Sequence, residues 1–431
     1  MKNALNNFIT RQINQMSTGG WPVLWSKLMR MLFLLIKLPF ILLSFLIVLL
    51  IRLFSPLIVI RLGTVDVGRI GGIYPGEWYL TEKAAGLHKG RYIDFFYFNK
   101  STNHVNQQWE KMWKQALPYL PGNEIWKNML TLNRLFPGSQ KHEILKSKRI
   151  FTNDMFLNAV LKNRSPNISF TVKEEEKGIK ALDKIGIPRG KPYICFHNRD
   201  SSFLDDAYIK LNWSYHNYRD SHIKNYVPAA EEMAKLGYFA IRMGAIVKDP
   251  IQSSNPQLID YATSNKRTDF NDVYIGSHCR FFLCSNVGIS VIPEMLRIPV
   301  IYVNWTRMVL LTIGPHPYLW ASPSLFIFKK FYLKKDNRYM SFSEILNLKF
   351  GGKDTYEIFA RLNLVLIENT AEEIIAVTIE MEQRLNDSWQ NTEEDEELQK
   401  RFWALFDPDK HKNPAWRIGT EFLRQNRELL K

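Results

Sequence analysis

The chain has 431 residues, of which 46% are apolar and 23% charged, and its formal net charge is +15. That length supports two or three domains, and that composition excludes both a wholly disordered chain and a multi-span membrane protein. The basic excess suits phosphorylated substrates or anionic lipid headgroups. Nucleic acid is disfavoured, because Lys and Arg are scattered and no zinc-finger, RNP-like or basic-helix-plus-heptad pattern occurs.

From Met31 to Ile51 the chain is apolar except for Lys37 and Ser44, with Pro39 near the front. The first 30 residues carry Lys2, Arg11, Lys27 and Arg30 and no acid. At 1.5 Å per residue such a run reaches about 30 Å, enough to cross a bilayer. It is too long for a signal peptide and lacks a small-residue cleavage site. Two readings stay open: a true span, or a helix or bent hairpin lying in the cytoplasmic leaflet with Lys37 snorkelling to the headgroups. Residues 1–54 are thus expected to form a basic segment and membrane anchor.

Residues 55–187 read as a first Rossmann-like domain. A short run at Leu57–Ile60 leads to the glycine-rich Gly68-Arg-Ile-Gly-Gly72, and strand-like runs follow at Trp78–Leu80 and Tyr92–Phe98. Helical periodicity is expected over 105–117, 123–136 and 174–185, whereas 137–170 has no clear pattern. Ile187-Pro-Arg-Gly-Lys-Pro192 reads as a linker.

Residues 188–385 read as a second Rossmann-like domain. Strands at 193–196, 238–242, 280–284 and 300–304 alternate with helices at 221–236, 269–278 and 288–296, which implies a parallel sheet covered on both faces. Residues 386–431 complete the chain as C-terminal helices, with Asn391–Glu397 a solvated helix start. The fold class is therefore α/β, with two Rossmann-type domains facing a cleft. The three cysteines, Cys195, Cys279 and Cys284, lie in or beside apolar runs and read as buried thiols of a reduced compartment.

Ligands of open α/β sheets bind beyond the carboxyl ends of the strands. After the first strand of the second domain stands His197-Asn-Arg-Asp-Ser201, where Arg199 either forks onto a diphosphate or pairs with Asp200 or Asp220. Arg242-Met-Gly244 follows the next strand, with Gly244 permitting a tight turn. Cys284-Ser-Asn-Val-Gly288 offers Ser285, Asn286 and Gly288 at a helix N-terminus, a natural anion site or simply a cap. Asp260 is a candidate for ribose or base, Asp269 and Asp272 for ribose or a cap, and Glu294 for a surface position. No metal or further cofactor is implied: the one Asp-x-Asp, Asp407-Pro-Asp409, lies in a loop far along the chain. Without metal, cations and helix starts must stabilise a departing diphosphate.

The blocks Thr171–Gly178, Pro192–Ser201, His216–Asp220, Gly237–Gly244, Asp260–Ala262, Arg267–Phe270, Arg280–Gly288 and Pro299–Asn304 resemble a family of bacterial glycosyltransferases associated with surface-polysaccharide (O-antigen and capsule) genes. The resemblance covers about 171–305, more faintly 57–82, and the tail Arg417–Leu423. Its His197-Asn-Arg199-Asp200 is similar to the His-x-Arg-Asp motif of GT-B fucosyltransferases, whose arginine contacts the donor diphosphate. Arg199 inherits that role by the resemblance. Two positions depart from the family: Gly72 stands where a histidine is usual, and Val287 where a hydroxyl is usual.

The expected activity is transfer of a sugar from a nucleotide-sugar donor to a lipid-linked or membrane-proximal glycan, at the cytoplasmic face of a bacterial inner membrane. Arg199 and Arg242 are the expected catalytic cations. His197, Asp200, Gly244, Asp260, Ser285, Asn286 and Gly288 are expected around the donor, and Asp66, Glu77 and Asp94 are candidate bases. A sugar-nucleotide epimerase and a catalytically silent nucleotide-binding scaffold are the alternatives.

Overall fold

A computed structural model describes residues 2–88, 90–100, 105–144, 164–207, 212–308, 322–406 and 416–431. Its contacts divide the chain into two compact units. One comprises residues 1–64, 90–97 and 118–145, and the other 65–89, 98–117 and 146–431.

The first unit is built on a long helix, α1 (Lys2–Leu53), bent at Gly20, whose φ is 59°. Its stretch Thr18–Leu53 is long and apolar enough to cross a membrane. One stripe of α1 packs on α4 (Asn123–Asn133), burying Val48 and Ile51 against Met129 and Leu130. Two strands, β1 (Val59–Asp66) and β2 (Tyr92–Asn99), pair with each other. Arg61 binds Asp94 in a fork, with both contacts at 2.7 Å.

In the second unit, strands β3 (Tyr193–His197), β4 (Phe239–Arg242), β5 (Leu258–Ile259), β6 (Phe282–Cys284), β7 (Val300–Trp305), β8 (Ser324–Phe328) and β12 (Trp416–Ile418) form one parallel sheet. The order is β12-β8-β7-β6-β3-β4-β5. From β5 through β8 this is the Rossmann order 3-2-1-4-5-6, whose direction of winding reverses between β3 and β6. The strands are mainly apolar, as suits a sheet buried on both faces, and Ile194, Phe196, Leu283 and Ile301 are fully buried. A small antiparallel sheet, β10-β9-β11, is formed by Arg338–Tyr339, Lys330–Leu333 and Leu364–Ile367.

The division of the chain differs from the expected boundary at residue 187. The described residues before 188 hold only two strands, β1 and β2. Three of their helices, α2 (Tyr74–Ala84), α3 (Gln107–Ala116) and α5 (Val172–Ile185), belong to the second unit. Both α3 and α5 pack on the helix Asp269–His278. The run Trp78–Leu80, expected as a strand, lies inside α2, because Pro75 at the first turn favours a helix there. Helix α5 begins with a reciprocal Thr171–Glu174 cap and ends at Gly186 in the left-handed region, as its sequence requires. Strand β5 and strands β8 to β12 lie outside the strands expected from the sequence.

Gly178 of α5 lies flush on Tyr274, and a Cβ there would come within 2.1 Å of the phenol ring. Gly178→Ala is therefore expected to cost about 1–3 kcal/mol through overpacking. A thermal melt checks this, and an unchanged midpoint would refute the packing.

Candidate functional site

Where the winding reverses between β3 and β6, a parallel sheet leaves a crevice outside its carboxyl ends. Both segments expected to bind the donor border that crevice. The Arg199 amide donates to the Ser285 hydroxyl at 2.9 Å, tying the loop after β3 to the loop after β6. Ser285 is fully buried, and Arg199 is only 6% exposed.

The Arg199 guanidinium forms an ion pair with Asp220, yet its NH2 nitrogen has no hydrogen-bond partner among the described residues. Burial, with the cation of Arg219 next in weight, lowers its pKa to about 10. Arg219 is also depressed, first by burial and also by the charge of Arg307. Both Arg219 and Arg307 keep an Nε without a partner among the described residues. His216 reports the crowding of charge: burial and the cations Arg219, Arg199, Arg307 and Arg69 bring its pKa down to about 4. Lys329 completes the group. Its ammonium donates to the Asp220 carbonyl, and burial, countered by Glu368 and reinforced by Arg199, brings its pKa to about 8.

Five cations, Arg69, Arg199, Arg219, Arg307 and Lys329, thus gather against the carboxylates of Asp200, Asp220 and Glu368. Arg199 and Lys329 are buried, Arg219 and Arg307 half-buried and Arg69 exposed, and an enclosed guanidinium donor left open is costly unless an anion satisfies it. Aromatic rings stand beside them: Trp213 stacks on His216 at 5.6 Å between centroids, and Arg69 lies over the Trp213 ring. Arg307 and Lys329 stand just past the carboxyl ends of β7 and β8, whereas Arg219 lies in a 3-10 turn away from any strand end. The one available signal was the cluster His216-Asn-Tyr-Arg-Asp220, which the family resemblance already marked.

The remaining expected residues fall into two groups. His197 and Gly244 lie together: the His197 Nδ1–H donates to the Met243 carbonyl at 2.7 Å, and a Cβ on Gly244 would lie 3.4 Å from its ring. Burial, aided by Arg242, holds the His197 pKa near 4 against the opposing Met243 bond, so the ring is neutral with Nε2 free to accept. Arg242, by contrast, is fully enclosed. It donates to the Asp249 carbonyl, reaches Asn198 Oδ1 at 3.5 Å and pairs with Asp260 at 3.5 Å. Asp260 also accepts the Ile251 amide at 3.0 Å, and Asp200 accepts those of Ser202 and Lys248. Arg242, Asp260 and Asp200 therefore brace the loops behind the crevice.

Asn286 is half-buried and Gly288 is exposed. The helix expected over 288–296 is a 3-10 turn, Gly288–Ser290, followed by the five-residue helix Val291–Met295. So short a helix brings little macrodipole to an anion, and the cations carry that load. Glu294, expected at the surface, is buried and accepts from Tyr74, Ser290 and Tyr302. Thr268, not Asp269, caps the helix Asp269–His278, and Asp272 is buried with Arg267 and Tyr261.

Each candidate base is already engaged: Glu77 with Arg297 at 2.9 Å, Asp94 with Arg61, and Asp66 with the Gly68 amide at 3.0 Å. A Cβ on Gly72 would come within 2.1 Å of the Asp66 carbonyl oxygen. This backbone cannot carry a histidine at position 72, so Gly72 is a requirement of the turn. Asp407 and Asp409 lie outside the described residues. Among the described residues no group of three or more His, Cys, Asp or Glu side chains is placed to hold a metal. A groove of about 1140 Å3 lined by Lys173, Lys177, Lys180, Lys184 and Lys266 is formed by other residues and shares none with the crevice.

No protein-family model matches the sequence, and no curated protein matches it. Among solved structures, the chain is similar to a glycosyl transferase family 9 protein from Veillonella parvula, at 11% identity over 76% of this chain and 98% of that one, with a TM-score of 0.40. It is also similar to the ADP-heptose lipopolysaccharide heptosyltransferase II of E. coli, at 10% identity over 56% and 84% of the two chains and a TM-score of 0.34. A third similar structure is the dodecameric iron-containing heptosyltransferase TibC in complex with ADP-D-beta-D-heptose, at 10% identity over 76% and 77% and a TM-score of 0.35.

Removing the Ser285 hydroxyl leaves the Arg199 amide unsatisfied in a buried place. Ser285→Ala is expected to lower stability by about 1–3 kcal/mol. Urea unfolding measures the difference, and an unchanged midpoint would show that the tie between the two loops is dispensable.

Proposed function

We propose that this chain is a glycosyltransferase that binds a nucleotide-sugar donor by its diphosphate at the β3/β6 crevice. The acceptor in this reading is a lipid-linked or membrane-proximal glycan of a bacterial surface polysaccharide, met at the cytoplasmic face of the inner membrane. The observation that carries the proposal is the set of buried guanidinium donors on Arg199, Arg219 and Arg307 that lack partners among the described residues. The surplus of cations over carboxylates suits the two negative charges of a diphosphate diester.

Arg199 and Arg219 fork onto the phosphates, and Arg307 and Lys329 add charge. As the glycosidic bond breaks, negative charge grows on the leaving diphosphate, and fixed cations in a dry crevice stabilise that charge without reorganising. No step then requires a metal. Arg242 is a positioning residue: through Asn198 and Asp260 it holds the loop that presents Arg199. The parallel sheet is the donor half of a GT-B architecture in this reading.

Calorimetric titration with nucleoside diphosphates tests the site. A lost charge-assisted hydrogen bond costs about 1.5–3 kcal/mol, so Arg199→Ala and Arg219→Ala should each weaken binding roughly 10- to 150-fold. Absence of binding by the parent protein, or unchanged binding by both variants, refutes the reading. A panel of sugar nucleotides then separates the activities: sugar release marks a transferase, and an isomerised donor marks an epimerase.

A second expectation concerns pH. Lys329 is charged below its pKa of about 8 and neutral above it, whereas Arg199 stays charged to about 10. Diphosphate affinity should therefore weaken as pH rises from 7 to 9. Lys329→Met should bind less tightly at pH 7 and lose that slope.

A further inference from the structure

We propose that α1 does not cross the bilayer but lies in the plane of one leaflet, with α4 on its water side. This rests on the reading that the chain is membrane-attached, and it concerns the first unit alone.

The segment Lys37–Arg52 is pinned to α4 at both ends and in the middle. Lys37 pairs with Glu124 at 3.2 Å, the Ser44 hydroxyl donates to the Ile125 carbonyl at 3.0 Å, and Arg52 donates to Asn133 at 2.9 Å. Arg52 also donates to the Pro137 carbonyl. The covered stripe runs through Lys37, Ile41, Ser44, Val48 and Ile51, which repeat at helical spacing. The face opposite this stripe is apolar and open: Phe40, Leu42, Leu43, Leu46, Leu49 and Leu50 are all exposed.

The outer face of α4 is the reverse. Lys127, Thr131 and Arg134 stand exposed along it. If Lys37–Arg52, about 22 Å long, ran through the hydrocarbon, α4 would be carried in beside it with that charged face toward lipid. Laid flat, the pair satisfies both solvents, with the leucines in the acyl region and the α4 charges in water.

The rest of α1 holds no apolar run of spanning length: Met31–Ile36 reaches about 9 Å, and the uncharged Gln12–Ser26 is polar with Gln12, Asn14, Gln15, Ser17 and Thr18, against a hydrocarbon core of about 30 Å. Lipid, rather than a second copy of the chain, is the occupant because of charge. Lys2, Arg11, Lys27, Arg30, Lys37, Arg52 and Arg61 all precede the first carboxylate, Asp66, which suits anionic headgroups and repels a like surface. Trp21 and Trp25, exposed and stacked at 6.4 Å, are the residue type that settles at the headgroup level.

The test uses the full chain with an epitope tag at each end. Protease added to inside-out membrane vesicles should remove both tags, and protease added to right-side-out vesicles should remove neither. Tags on opposite sides overturn the in-plane arrangement. Spin labels at Leu46→Cys and Lys127→Cys, in vesicles containing phosphatidylglycerol, give a second reading that does not depend on protease access. Native Cys195, Cys279 and Cys284 are buried. The Leu46 label should sit at shallow acyl depth, and the Lys127 label should be relaxed by a water-soluble nickel complex. Both labels at mid-bilayer depth also overturn the proposal. Protein found wholly in the soluble fraction as a dimer refutes membrane attachment itself, a failure distinct from the other two.

Discussion

A single hydrogen bond, from the Arg199 amide to the Ser285 hydroxyl, joins the two loops at the point where the sheet reverses its winding. It is buried and runs from the Arg199 backbone to the Ser285 side chain, so it holds the Arg199 backbone against the loop after β6. The consequence is electrostatic. With its backbone held there, the Arg199 guanidinium must lie inside, beside Arg219 and Arg307, in a place that water does not fully solvate. Asp220 offsets one charge. The rest of the unit works to keep like charges together, which folding alone gives no reason to do.

A polar network behind the crevice supplies that support. The Asn198 amide donates to the Ser221 carbonyl, and the Ser221 amide to the Arg199 carbonyl. The Ser221 hydroxyl meets Tyr226, which accepts from Asn304, and Asn304 exchanges two hydrogen bonds with Asn369 at 2.6 and 2.7 Å. Asn304 has a φ of 54°, a left-handed conformation that costs energy outside glycine. Its two bonds to Asn369 hold it there, at the carboxyl end of β7. Fully satisfied buried networks of this kind rigidify the groups they touch. Strain and polar burial are thus both concentrated beside the same strand ends as the cations.

Four strands of the parallel sheet, β3, β4, β6 and β7, are legible in the sequence because each is an apolar run in a regular alternation with helices. The helix Asp269–His278 and the strand beginning at Tyr193 fall where the pattern puts them. Strand β5 has only two residues, β8 and β12 lie beyond the regular alternation, and β9 to β11 are short, lie outside the parallel repeat and include the exposed pair Arg338–Tyr339. Trp78–Leu80 misled because its aromatic residues have strand propensity, while Pro75 and the burial of Trp78 and Tyr79 favour the helix. At the site, a position after a strand is visible in sequence, and so Arg199 and Ser285 were found. Arg307 and Lys329 also follow strands, β7 and β8, but their convergence with Arg219, which lies in a 3-10 turn, depends on the order of strands in space. Arg242 shows the converse: a strand-end arginine reads the same in sequence whether it faces a ligand or two neighbouring loops.

The two units pose one problem in opposite forms. In the first, Leu46 and its neighbours expose apolar surface that water disfavours. In the second, Arg199, Arg219 and Arg307 enclose charge that the protein interior disfavours. Neither arrangement minimises the free energy of an isolated chain in water, and each is relieved by a different surrounding. A hydrocarbon surface would take the first, and a compact dianion the second. A chain that both binds a soluble phosphorylated donor and stays at a lipid surface meets both needs, because each liability of the free chain is then a contact of the working one.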